Sequence, residues 1–272
     1  HFDEAAECWL VETDKGEKVS ARYLIMATGC ISTAQIPEIE GLSEYSGNTY
    51  HTGRWPHEKV DFTGQRIAVI GTGSSGIQAI PVLAEEATHV TVFQRTANYS
   101  LPAQNMSMTP EYEQEWKDEY TARRMEMRYT PQGSLKDLND EPAMAVSADR
   151  RRDVYTERWA TGGSTLLGSF NNLLSDQKSN DTAAEFVRQK IRKIVKDSET
   201  AELLCPKDHP IGTKRICIDS GYYQTFNRDN VELVDIKNSV IERITETGLD
   251  VNGRSFEFDS IVFATGFDAM TG

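Results

Sequence analysis

The chain has 272 residues, of which 38% are hydrophobic and 26% are charged, and this length allows one large or two ordinary globular domains. No apolar run approaches the roughly 20 residues that cross a bilayer, which argues against a membrane protein. The formal net charge of −13 argues against a nucleic-acid partner, because binding to phosphates needs a basic face. We therefore expect small molecules or other proteins as partners.

The cysteines and the first residues bear on the cellular setting. No pair of cysteines has the Cys-x-x-Cys spacing of a zinc site or a dithiol redox centre, so we predict structural thiols, no metal site and a reducing, cytoplasmic compartment. The chain begins His-Phe-Asp-Glu, without the basic and apolar regions of a signal peptide. This start predicts a piece of a longer cytoplasmic chain. The cysteines are Cys8, Cys30, Cys205 and Cys217.

The first predicted elements form a β-hairpin. Residues 8–12 alternate in polarity, a polar turn contains Gly16, and a second strand covers residues 19–26. This strand is apolar toward its end, as expected of a strand that enters a buried sheet, and the phrase Ala27-Thr28-Gly29 follows it. We assign residues 1–36 to a partial host domain. Residues 37–62 show no clear period and are predicted to be a linker between domains.

A β-α-β unit follows the predicted linker. A compact apolar strand over residues 67–70 runs directly into a glycine-rich phrase, a helical pattern to about Ala87 and a second strand over residues 89–93. Residues 97–205 carry long polar stretches and are predicted to be a helical insertion, whose clearest helix covers residues 181–197 behind an Asp181 cap. We assign residues 63–235 to this α/β domain.

The last third of the chain is strand-like again, with apolar runs over residues 231–236, 240–244 and 256–263. The final run ends in Ala264-Thr265-Gly266, which repeats the phrase that ends the hairpin. Two strands that end alike on either side of the β-α-β unit indicate that the chain leaves a host domain and later returns to it. We therefore assign residues 236–272 to the host domain.

The glycine-rich phrase predicts a dinucleotide site. It follows a buried strand and opens a helix, so its backbone can turn tightly, approach a pyrophosphate and direct helix N-terminal amides at it. The alternative is a tight turn with no ligand. Nucleotide choice is usually made about 20 residues after the first glycine, where this sequence has Arg95 and no carboxylate. That favours NADP over NAD, unless Arg95 is only a solvated surface charge. The phrase is Gly71-Thr72-Gly73-Ser74-Ser75-Gly76.

The predicted linker contains a motif that resembles the fingerprint of Baeyer-Villiger monooxygenases, Phe-x-Gly-x-x-x-His-x-x-x-Trp followed by Pro or Asp. Its matching positions are Gly47, His51, Trp55 and Pro56, whereas Tyr45 replaces the phenylalanine. The related monooxygenases that oxidise sulfur and nitrogen usually end the motif in Tyr or Phe, so the tryptophan favours the Baeyer-Villiger branch. Further matches follow in order, among them Lys214-Arg215, residues 226–231 and residues 264–268.

The resemblance implies a Rossmann-like NADP-binding domain with a helical insertion, flanked by remnants of a split FAD-binding domain. The family's own glycine motif for FAD does not precede Ala27 here, so the FAD site is expected to be incomplete without N-terminal and C-terminal parts of the same protein. Ser164 replaces a family aromatic residue, which leaves the substrate pocket undefined. The implied NADP(H)-binding residues are Gly71, Thr72, Gly73, Ser74, Ser75, Gly76, Gln78, Arg95, Thr96 and Lys214.

The implied reaction uses NADPH, FAD and O2 to insert one oxygen atom beside a ketone carbonyl, giving an ester or lactone. Arg215 is similar to the family's active-site arginine. A guanidinium suits that role because it stays charged and can stabilise negative charge that develops on oxygen. Its alternative role is half of a structural ion pair. His51 is expected to orient the linker rather than transfer protons, and Trp55 to pack. Two other functions stay open: an S- or N-oxidising flavin monooxygenase, and an isolated NADP-binding fragment without catalysis.

Overall fold

The computed structural model describes residues 1–130, 133–135 and 138–269. The chain divides into two compact units, of which the smaller comprises His1–Gln35 with Phe267–Gly272 and the larger Ile36–Gly266. The strands of the smaller unit within the described residues are β1 (Phe2–Asp3), β2 (Cys8–Glu12), β3 (Lys18–Ala21), β4 (Thr33–Ala34) and β15 (Phe267–Asp268). The larger unit holds the remaining described strands: β5 (Asn48–His51), β6 (Arg66–Ile70), β7 (His89–Gln94), β8 (Ser100–Pro102), β9 (Cys217–Asp219), β10 (Val231–Asp235), β11 (Ile241–Thr245), β12 (Gly248–Val251), β13 (Arg254–Glu257) and β14 (Ser260–Phe263).

Helices occur only in the larger unit, as far as the described ranges show. Short 3-10 turns cover Leu42–Glu44, Ala143–Ala145 and Thr165–Gly168. Where the structure describes the chain, no helix combines the length and apolar character needed to cross a membrane. The α-helices are α1 (Ser74–Glu86), α2 (Pro110–Asp118), α3 (Tyr120–Met127), α4 (Ala148–Thr161), α5 (Gln177–Ile194), α6 (Ser198–Leu204) and α7 (Tyr222–Thr225).

The predicted hairpin is present in the smaller unit, but its second strand is shorter than expected. Strands β2 and β3 pair antiparallel from Trp9 with Ala21 to Glu12 with Lys18. The strand prediction over Tyr23 to Met26 is wrong, because no described strand pairs with this segment and its backbone therefore lacks ladder hydrogen bonds. Its apolar side chains remain in solvent, with Ile25 at 87% exposure.

A parallel sheet forms the centre of the larger unit and confirms the predicted α/β class. Its strands stand in the order β10, β7, β6, β14, β5, and each neighbouring pair is parallel. Parallel strands need a crossover between them, and α1 supplies it between β6 and β7. The predicted β-α-β unit is therefore observed.

Two of the strands in this sheet lie in segments that the sequence analysis placed outside the α/β domain. Strand β5 lies in the predicted linker, and β14 lies in the segment assigned to the host domain, yet β14 pairs with both β5 and β6. Strand β5 escaped prediction because it is a short edge strand in which His51 is the buried residue, so it has no apolar run. All four residues of β14 are buried, as a central strand requires.

The two faces of the parallel sheet pack against different partners. On one face, Val69 and Val92 join a core with α1 and with residues of the helical insertion such as Tyr155. On the other face, Ile70 and Phe93 pack against the antiparallel sheet β11-β12-β13. Because side chains alternate along a strand, β6 and β7 bury both faces, so neither face of these strands is open to a ligand.

The insertion predicted over residues 97–205 is largely helical, since it contains α2 to α6. Its clearest helix, α5, begins four residues earlier than predicted. Asp176, not Asp181, caps it by accepting a 2.9 Å hydrogen bond from the Ser179 N–H. The first turns bury polar residues, and the Asn180 side chain bonds to backbone at both Leu173 and Ile211. Buried polar residues conceal the apolar period that the prediction used.

Candidate dinucleotide-binding site

The glycine-rich phrase forms the turn between β6 and α1. Gly71 has a φ of +106°, which L-residues with a side chain rarely adopt. A Cβ atom built on Gly71 would lie 2.6 Å from the backbone oxygen of Ala264, and one on Gly76 would overlap the backbone oxygen of Gly71. The turn therefore packs directly against the phrase Ala264-Thr265-Gly266, and glycine is required at both positions.

The first turn of α1 has the features of an anion-binding helix N-terminus. Helix α1 begins at Ser74, its N-cap Gly73 supplies no side-chain cap, and no acidic residue lies in its first turn. Ser74 and Ser75 are exposed. Unpaired amides and the positive end of the helix dipole favour a phosphate group at such a terminus. The arrangement therefore fits a pyrophosphate at residues 71–76.

The order of the strands places this turn at a topological switch point. From β6 the chain crosses by way of α1 to β7 on one side, while β14 lies on the other side of β6. In open α/β sheets, ligands bind in the crevice at the carboxyl ends of the strands where the order changes direction. Gly71 and Ala264 follow β6 and β14 at this edge.

Three predicted cations lie beside the same edge. Arg95 directly follows β7, while Lys214 and Arg215 lead into β9, and all three are exposed. Within the described residues none of them forms a salt bridge, although the chain carries a net charge of −13. The prediction that Arg215 could be half of a structural ion pair therefore has no support among the residues that the structure describes. Unpaired cations are available for an anionic ligand.

The segments that carry these cations run side by side. Strands β8 and β9 pair in parallel, with Ser100 opposite Cys217, so residues 95–99 and 214–216 approach the strand pair from the same direction. His209 links them further, because its ring packs on Tyr99 with 5.4 Å between centroids. Burial and the neighbouring Lys214 charge lower the pKa of His209, so its imidazole is neutral at pH 7. No motif or spacing in the sequence pointed to this histidine.

A second set of contacts joins the glycine turn to the segment that follows β7. The Thr72 hydroxyl donates to the Thr96 carbonyl at 3.2 Å, and the Asn98 side-chain amide donates to the Thr72 carbonyl at 3.0 Å. The predicted ligand Gln78 is exposed and donates from its amide to the Ile218 carbonyl at 3.3 Å. Asn98 was missed by the sequence analysis, since an asparagine in a loop carries no distinctive pattern.

The fingerprint residues lie at the far side of the same sheet. His51 ends β5 and is 4% exposed, and its Nδ1 accepts a 3.0 Å hydrogen bond from the Gly53 N–H. An accepting Nδ1 carries no proton, so the neutral ring has its hydrogen on Nε2, which lies 3.4 Å from the Thr265 hydroxyl. His51 thus connects the fingerprint to the phrase that packs on Gly71.

The aromatic positions of the fingerprint have packing roles in the structure. The Trp55 ring lies 5.5 Å from the Tyr50 ring and 6.0 Å from the Phe62 ring, measured between centroids. Tyr45, which replaces the family's phenylalanine, donates from its hydroxyl to the Phe258 carbonyl at 2.9 Å. Burial, with the Asp259 charge nearby, raises the pKa of Tyr45 to about 12. A Cβ atom on Gly47 would lie 2.5 Å from the Tyr45 ring.

These features are those of a dinucleotide-binding α/β protein: a β-α-β unit, a glycine turn into a helix N-terminus, and the position of that turn at a topological switch point of the sheet. The chain belongs to the pyridine nucleotide-disulphide oxidoreductase family, which matches residues 3–188.

The resemblance to Baeyer-Villiger monooxygenases is confirmed by a relative of that name from Pseudooceanicola batsensis, which is 38% identical over all of this chain and half of its own length. Cyclohexanone 1,2-monooxygenase from Acinetobacter sp. is 42% identical over all of this chain and half of its own length. Two solved structures cover the whole chain and 52% of their own: oxidized steroid monooxygenase bound to NADP, at 50% identity and a TM-score of 0.93, and OTEMO in complex with FAD and NADP, at 39% and 0.95. The chain spans about half the length of the curated relatives it matches.

Proposed function

We propose that this chain supplies the NADPH site of an FAD-dependent Baeyer-Villiger monooxygenase. The observation that carries the proposal is the glycine turn at the switch point with the unpaired Arg95 directly after β7. In this proposal the larger unit, Ile36–Gly266, which holds the whole parallel sheet, binds NADPH. The smaller unit, His1–Gln35 with Phe267–Gly272, belongs to the FAD-binding domain. In the whole protein, the segments that correspond to the other half of the relatives complete the flavin site. We expect this enzyme to be cytoplasmic.

The residues divide between the two phosphate groups of NADPH. Backbone amides over residues 71–76 bind the pyrophosphate, where the positive φ of Gly71 lets the backbone approach. Arg95, Thr96 and Lys214 surround the 2′-phosphate of the adenosine. No carboxylate follows β7 to select the 2′-hydroxyl of NADH, because the strand ends at Gln94 and Arg95 comes next. The charges of this region therefore favour NADPH.

The reaction consumes a ketone, O2, NADPH and one proton, and it yields an ester or lactone, NADP⁺ and water. When bound, FAD supplies the hydride acceptor and the oxygen activation that no amino-acid side chain provides. In our proposal Arg215 holds a fixed positive charge toward the reacting oxygen, and a guanidinium suits this because it keeps its charge in a site that excludes water. His51 holds the fingerprint turn through Gly53.

The first test separates ketone oxygenation from S- or N-oxidation, which the same cofactors could support. The whole protein is incubated with NADPH, a cyclic ketone and a sulfide under labelled oxygen, and the products are identified by mass spectrometry. We expect a lactone that carries one labelled oxygen atom. A sulfoxide as the single product would assign the protein to the S-oxidising class, and NADPH binding with no product in the FAD-loaded whole protein would indicate a binding module.

A further inference from the structure

The glycine turn is fastened to the segment that carries Arg95 by two hydrogen bonds of opposite direction. The Asn98 amide donates to the Thr72 carbonyl at 3.0 Å, and the Thr72 hydroxyl donates back to the Thr96 carbonyl at 3.2 Å. Thr72 is buried, with 5% exposure, so water replaces neither bond easily. The two contacts set the position of residues 71–73 relative to residues 95–98.

The Asn98 backbone is itself fixed from the protein interior. The hydroxyl of the buried Tyr223 donates to the Asn98 carbonyl at 3.4 Å and accepts from the Ser100 N–H at 3.1 Å. Burial raises the pKa of Tyr223 well above its usual value, so the hydroxyl keeps its proton and can donate. Asn98 therefore reaches the turn from a rigid base rather than from a free loop.

We propose that Asn98 is a positioning residue, which holds the glycine turn in its phosphate-accepting shape and in register with Arg95. This inference rests on the proposed NADPH site. The Thr72 carbonyl is a buried acceptor, and a buried acceptor that loses its donor favours any rearrangement that restores a partner. Without the Asn98 amide the turn would relax, and the amides of residues 71–76 would no longer converge on the pyrophosphate while Arg95 still meets the 2′-phosphate.

The test compares two ligands that differ in the pyrophosphate. Asn98→Leu removes the amide with little change in volume, and calorimetry then measures the affinities of NADPH and of adenosine 2′-monophosphate, which lacks the pyrophosphate. We expect NADPH to bind about tenfold more weakly, the loss of about one hydrogen bond of 1.4 kcal/mol. Adenosine 2′-monophosphate should keep its affinity within about twofold.

Asn230 supplies the matched control, because its side-chain amide also donates to backbone carbonyls, those of Ala84 and Ala87 at the other end of α1. Asn230→Leu should lower the melting temperature without a selective loss of NADPH affinity. Asn98→Ala removes the same amide donor without adding bulk and should weaken NADPH selectively, even if Asn98→Leu does not fold.

Each remaining outcome counts against the proposal. Unchanged NADPH affinity in a folded Asn98→Leu or Asn98→Ala chain would overturn the positioning role. An equal loss for both ligands, or the same loss in Asn230→Leu, would show a general loss of stability instead. An unmutated chain that binds adenosine 2′-monophosphate but not NADPH would overturn the proposed function, and the positioning role with it.

Discussion

Replacing Gly71 with alanine should abolish measurable NADPH binding and lower the free energy of unfolding. A side chain at a φ of +106° costs about 1–3 kcal/mol of backbone strain. The added Cβ atom would also lie 2.6 Å from the Ala264 carbonyl oxygen, so the turn must move away from the phrase after β14. That movement displaces the amides of residues 71–76 from the pyrophosphate.

Gly64→Ala isolates the contribution of strain from that of the contact. Gly64 has a φ of +78°, and a Cβ atom there meets nothing within 4 Å, so this variant shares the strain and lacks the collision. It should lose a little stability and keep its NADPH affinity. Circular dichroism melting curves and calorimetric titration measure both quantities. A folded Gly71→Ala chain with normal affinity would exclude the pyrophosphate from this turn.

In the whole protein, Arg215→Ala should reduce ester formation by about 100-fold or more, the usual loss when one preorganised electrostatic donor is removed. Its neighbour Lys214 provides the matched comparison, since both are exposed and form no salt bridge among the described residues. Lys214→Ala should mainly weaken NADPH binding, because we assign it to the 2′-phosphate. The two phenotypes should therefore separate although the residues are adjacent.

Stopped-flow absorbance of the flavin measures the hydride-transfer half of the reaction, and chromatography of the ester measures the oxygenation half. Arg215→Ala should leave the saturating rate of flavin reduction within about tenfold of normal while ester yield falls, as expected when a charge acts on the later step. Normal ester formation in Arg215→Ala would rule out the proposed charge stabilisation. Normal NADPH affinity in Lys214→Ala would remove that lysine from the nucleotide site.

The β-α-β unit could be predicted from sequence because local patterns determine it. A continuous apolar strand, a glycine phrase and a helical period are all visible within residues 66–94, and the structure shows β6, α1 and β7 there. The hairpin strand Cys8–Glu12 was predicted with its observed bounds for the same reason. Alternation over five residues is sufficient to identify such a strand.

The misplaced elements depend on partners distant in sequence. Strand β5 shows no apolar run, and it is a strand because β14, more than 200 residues away in the chain, pairs with it. Residues 23–26 show the opposite case, since a strand-like apolar run finds no partner strand among the described residues and stays irregular. A propensity for β structure becomes a strand only when another edge supplies its hydrogen bonds.

The candidate site divides in the same way. Gly71, Gly76 and Arg95 follow from motif spacing, whereas Asn98 and His209 reach the site through contacts between segments that no local pattern reveals. The tautomer of His51 likewise depends on the Gly53 N–H and on Thr265, which follows β14. Local motifs thus identify candidate ligand groups, whereas the residues that hold those groups in place depend on contacts between distant segments.

The most direct measurement of the central claim is a calorimetric titration of the chain with NADPH and with NADH, repeated with Arg95→Ala. Charge-assisted hydrogen bonds contribute about 1.5–3 kcal/mol, so we predict that NADPH binds about tenfold or more tightly than NADH. Arg95→Ala should reduce this difference in affinity by weakening the binding of NADPH. Equal affinities for the two nucleotides in the unmutated chain would contradict the account.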